Sequence, residues 1–109
     1  MSRSDNVYLQ DILESVNIIL SYTEHTTEFN FLTDIMLQDA VIRRFEIIGE
    51  ASSKVSEPVK LTNPQIQWRL MKEMRNKLAH EYFGVSAITI YNTIKLNLPI
   101  LKEQLEKLV

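Results

Sequence analysis

"FLTDIMLQDAVIRRFEIIGEASSKV", residues 31 to 55, carries Leu32, Ile35, Met36, Ala40, Ile42, Phe45, Ile48 and Ala51 at helical spacing, supplemented by Leu37, Val41 and Ile47. Apolar positions recurring every three to four residues predict an α-helix across the whole stretch. The band is wider than the single stripe that a helix buries in its own core. A second surface must cover the excess, and the expected cover is a second copy of the chain.

Working outward, the spacing of Leu9, Ile12, Leu13, Val16, Ile19 and Leu20 predicts a first helix from about Asp5 to Thr26. Downstream, Pro58 and Pro64 make residues 57 to 68, "EPVKLTNPQIQW", the main loop. A third helix is predicted from about Gln65 to Tyr82, with Met71, Met74, Leu78 and Tyr82 along one line. Gly84 offers a left-handed stop and Ser86 an N-cap for the fourth helix. Tyr91, Ile94, Leu98, Leu101, Leu105 and Leu108 then form a packing seam, and Pro99 predicts a bend near Lys95 to Leu98. The expected fold is all-α, an up-and-down four-helix bundle forming one domain over residues 1–109 and pairing as a homodimer.

Composition agrees with that class. Two glycines, three prolines and no hairpin dipeptide leave little punctuation, so segments are long. The absence of cysteine excludes disulfides and thiolate metal sites. The N-terminus lacks the apolar core of a signal peptide, and no apolar run reaches membrane-spanning length, so a cytoplasmic location is expected. Net charge is −2, but it is unevenly spread. Residues 1 to 40 hold seven acids against Arg3, whereas residues 60 to 80 hold Lys60, Arg69, Lys72, Arg75 and Lys77 against Glu73. A basic segment on an acidic chain marks either a solvated helix face or a phosphate-binding one.

Within that segment, "RNKLAHEYFG" (residues 75 to 84) places Arg75, Asn76, His80 and Tyr82 together. On a straight helix Arg75 and Tyr82 project to one side, Arg75 and His80 diverge by about 140°, and Asn76 and His80 share a face. Arg75 and His80 can still meet around one ligand if the last helical turn loosens, or if a second subunit supplies the other half. Metal-free cleavage of RNA needs a base for the 2′-hydroxyl, an acid for the departing 5′-oxygen and a cation for the phosphate. Arginine suits the last role and histidine the first two. The same residues also suit a helix C-terminus as plain cations favourable to its dipole.

These residues match R-x-x-x-x-H-x-Y, and the chain resembles the HepT family of the HEPN superfamily of small helical ribonucleases and toxins. "QDAVIRRFEIIGEAS" (38 to 52), Trp68 and "LPIL" (98 to 101) extend the similarity over about residues 5 to 105. Gln67 departs from it, standing where the family often has proline. The resemblance implies a homodimeric toxin of a type VII toxin-antitoxin system, a metal-independent endoribonuclease acting on tRNA or mRNA without a cofactor. Arg75 and His80 would be its catalytic pair and Asn76 a supporting polar residue. It further implies an MntA-like nucleotidyltransferase antitoxin as partner, which transfers AMP to Tyr82. Bulk and negative charge added there would repel RNA. A competing expectation is a non-catalytic helical dimer that docks and positions such a nucleotidyltransferase.

Other residues have two readings each. Gly49 is expected to permit close helix approach, and Glu50 to be a structural ion pair or dimer contact, or else to orient an arginine. Arg43 and Arg44 either extend an RNA surface or form salt bridges. Trp68 is either a base-stacking ring or an anchor between the third helix and the loop. His25 has no second histidine at ligand spacing and is expected on the surface, so no metal site is expected.

Overall fold

The computed structural model of the protein describes residues 1–80 and 86–109, and for Ala79 and His80 the backbone alone. The described residues form seven helices and no strand: α1 (Arg3–Thr23), α2 (Glu28–Thr33), α3 (Ile35–Lys54), α4 (Glu57–Thr62), α5 (Trp68–His80), α6 (Ala87–Leu96) and α7 (Leu98–Leu108). α1 packs along α3, α3 along α5, and α7 returns against α1. The all-α expectation holds, with α1, α3, α5 and the α6–α7 pair as the four long segments.

The core is built from the predicted stripes. Leu9, Ile12, Val16 and Ile19 of α1 meet Val41, Phe45 and Ile48 of α3, and Leu98, Leu101 and Leu105 of α7 close the far side. All are at most 4% exposed, so each contributes about 1.5–3 kcal/mol of burial. Met71, Met74 and Leu78 bury the inward face of α5.

Beyond end shifts of a few residues, such as α1 stopping at Thr23 and α5 starting at Trp68, three boundaries differ from the sequence expectation, at caps and prolines that apolar periodicity overlooks. The long second helix is broken at Asp34, whose carboxylate accepts from Leu37 N–H at 3.0 Å and so starts α3 afresh. The loop at 57–68 contains α4, because Pro58 occupies its first turn, where a missing N–H costs nothing. The last helix divides at Asn97, within the predicted bend, with Pro99 in the first turn of α7. Ser86 caps α6 as expected, accepting from Thr89 N–H at 3.3 Å. The expected helix stop at Gly84 lies outside the described residues.

The N-terminus is tied to the middle of the chain by one buried carboxylate. Asp5 accepts from the backbone N–H and the hydroxyl of Ser56, both at 2.8 Å, and from the Ser2 hydroxyl at 2.9 Å. These donors, the Ser56 N–H foremost, hold its pKa below the ordinary 3.8. The bonds fix the start of α4, and hence one wall of the groove described next.

Candidate active site

The approach of α5 to α3 is set by Gly49. A Cβ at that position would overlap Cβ and Cγ of Arg75 and come within 3.2 Å of the Met71 carbonyl. Glycine therefore lets the stem of Arg75 lie directly on the backbone of α3, and the arginine is placed by packing before it is placed by charge. Its Nη2 then donates to Glu50 Oε1 at 2.7 Å, and Nη1 to Asn76 Oδ1 at 3.4 Å. Of the two expectations for Glu50, the geometry matches both an ion pair and the orienting of an arginine. Arg75 keeps 36% of its side chain exposed, so its head remains open to a ligand.

Arg75 and Asn76 stand at one end of a groove of ≈ 650 Å³ between the end of α3, α4 and the outer face of α5. Lys60, Trp68 and Lys72 line its other part, with Ser53 and Glu57 on the wall. Trp68 is anchored by its indole N–H, which donates to the Asn63 carbonyl at 3.0 Å. The anchor reading of Trp68 is thus satisfied while part of its surface still faces the groove. Arg69 is held by Glu73 at 2.8 Å along α5. The lining carries Lys60, Arg69, Lys72 and Arg75 against Glu57 and Glu73, a surplus of positive charge suited to phosphate.

His80 is the last residue of α5, and its side chain, like all of Tyr82, lies outside the described residues. The expected Asn76–His80 contact lies there too. What the structure brings together of the expected set is Arg75 and Asn76. Arg43 pairs with Glu46 at 3.5 Å on the solvent side. His25 is 91% exposed beside Glu24. Lys60 was missed as a wall residue because its segment reads as loop. The signal was present in "SEP", residues 56 to 58: a serine cap, an acid and a proline in the order that opens a helix.

A family described as "Ribonuclease HepT-like" matches residues 12–108. Over 99% of its length the chain is 44% identical to a "Probable ribonuclease HepT" of Thermococcus cleftensis, covering 98% of that protein. It is 36% identical to a "Putative RNase" of Methanocaldococcus jannaschii, covering 97% of this chain and 98% of the other. In the same organism a protein named "Gamma-glutamylcyclotransferase and putative RNase" is 40% identical over the full chain, which spans 49% of it. No solved structure was found to match. With the matched region running from α1 to α7 and taking in the Gly49–Glu50–Arg75 contact, the chain belongs to the HepT-like ribonuclease family.

Proposed function

We propose that the protein is a metal-independent endoribonuclease and the toxin of a toxin-antitoxin pair, with Arg75 and His80 as its catalytic residues and residues 1–109 as one domain. The observation that carries this reading is Arg75, whose stem is seated on Gly49 and whose guanidinium, bonded to Glu50, stands at the edge of a basic groove. Arg75 holds the two non-bridging oxygens of the scissile phosphate. His80 takes the proton of the 2′-hydroxyl, whose oxygen attacks phosphorus. The bond from phosphorus to the 5′-oxygen breaks, and that oxygen takes a proton from the second histidine of a dimer, leaving a 2′,3′-cyclic phosphate and a 5′-hydroxyl. Asn76, bonded to Arg75, supports its orientation.

A two-fold dimer supplies both histidines to one cleft. Support for it comes from the apolar residues left outside the core at the start of α3: Ile35 is 71% exposed and Met36 81%, with Phe29 of α2 at 73% beside them in sequence. The partner is an MntA-like nucleotidyltransferase, which adenylylates Tyr82. The added phosphate and nucleoside place negative charge where RNA must enter.

Incubation with tRNA and mRNA in excess chelator tests the chemistry. Arg75→Ala should lower kcat by about 10²–10³-fold and His80→Ala by about 10²–10⁴-fold. Equal cleavage by wild type and His80→Ala would refute the catalytic assignment. Absence of any cleavage, with a tight complex to the nucleotidyltransferase, would instead favour a non-catalytic docking subunit.

A further inference from the structure

The groove extends past Arg75 into a part that the cleavage chemistry leaves unused. Along α5, Trp68, Lys72 and Arg75 follow at steps of four and three, so they share one face and span about 10 Å of helix axis. All three line the groove. Trp68 is half-buried, with one edge fixed by its bond to Asn63. Lys60 Nζ lies 6.0 Å from the centroid of its ring. Lys72 is exposed and has no ion-pair partner among the described residues.

A fixed aromatic ring in one groove with two ammonium groups, neither of them in an ion pair among the described residues, suits a ligand that alternates flat π-surfaces with negative charge. A nucleic-acid strand has that pattern. The ring already attracts a cation, which shows that its π-system is reachable from the groove. A base taking the place of Lys60 over the ring would release that ammonium to the adjoining phosphate. Duplex bases are already stacked on one another, so only an unpaired base can use the platform.

We propose that Trp68 is a nucleobase-stacking platform within a subsite for single-stranded RNA, whose backbone Lys60 and Lys72 hold next to the phosphate bound by Arg75. The choice of RNA rests on the ribonuclease reading; the stacking subsite rests on the groove itself. It makes unpaired segments the preferred substrate. It also makes Trp68 a binding residue, whose loss raises KM and spares kcat.

The chain has one tryptophan, so its fluorescence reports this ring alone. The full-length protein is titrated with a 2′-O-methyl oligoadenylate, which lacks the attacking hydroxyl and survives, with an abasic strand of equal length, and with AMP. The oligoadenylate should quench Trp68. The abasic strand should bind roughly 5- to 150-fold more weakly without quenching, and AMP at equal concentration should leave the signal unchanged. Followed by anisotropy of a labelled strand, Trp68→Leu should lose affinity by a similar factor and Trp68→Phe should recover most of it. Lys72→Ala, at an exposed position, should reduce the slope of log affinity against log salt by about 0.7. Binding without quenching, equal quenching by AMP, or unchanged affinity in Trp68→Leu overturns the subsite. Quenching without Arg75-dependent cleavage keeps the subsite and rejects the ribonuclease reading; cleavage without quenching does the reverse.

Discussion

Gly49 and Glu50 are adjacent residues that act on Arg75 in different ways, and substitutions separate the two. Gly49→Ala inserts a methyl group against Cβ of Arg75, an atom tied to its own backbone, so α5 itself must shift. Overpacking of about 1–3 kcal/mol outweighs the helix-propensity gain of about 1 kcal/mol, and we expect a net loss of about 1 kcal/mol by urea denaturation. An unchanged midpoint would mean that the contact relaxes freely. Glu50→Ala leaves the stem seated but frees the head. Under the proposed chemistry, more net positive charge should lower KM for RNA while misplacement of the guanidinium lowers kcat roughly tenfold, and Glu50→Gln should lie between. A kcat that rises in Glu50→Ala would show that the carboxylate restrains Arg75 rather than aligning it. The interior glycine and the basic helix were both legible in the sequence. That Gly49 lies under Arg75 was not, because the register between two helices has no linear signature.

At the scale of elements, apolar periodicity carried most of the fold, and one polar cap and two first-turn prolines carried the rest. The stripes of α1, α3, α5 and α7 were readable because each buries one face at a constant helical period. Asp34 was not read as a boundary, and near Asn97 only a bend was expected from Pro99, because apolar residues continue past both and the stripe is not interrupted. α4 was hidden by its proline, which reads as a breaker in the middle of a helix and as a starter in its first turn. The placement of α4 depends on Asp5, and this gives a pH dependence. Because the folded pKa lies below the ordinary 3.8, the contribution of Asp5 is fully present above that value and is lost as pH falls through the folded one. Asp5→Asn presents an amide N–H₂ where the Ser56 donors need a second acceptor. The variant should be less stable than wild type at pH 6, and the gap should narrow below about pH 4. A gap that stays constant from pH 6 to 3 in urea titrations would show that the ionised carboxylate is not what holds α4.

At the scale of the whole molecule, the question is what covers the outer side of α3. Met36, Ala40, Arg43, Ile47 and Glu50 recur at steps of three and four and lie on one stripe, and none belongs to the core. The stripe is apolar at its start and ends at the carboxylate that holds Arg75. A copy of the chain seated along it would therefore bury Met36 and reach the site by the same contact, which explains how a helix can be too apolar for its own monomer without loss to the fold. Met36→Glu tests the link. Because Met36 is 81% exposed, the substitution should change the stability of a single chain by no more than about 0.5 kcal/mol. A dimer formed through this stripe would have to bury the new charge, so sedimentation should shift toward the 12.7 kDa monomer and RNA cleavage should fall in parallel. Restoring cleavage by raising the concentration of Met36→Glu would tie activity to assembly by mass action. Wild-type protein that sediments as a monomer while cleaving at full rate would refute the shared cleft, and a single subunit would then have to supply both proton transfers.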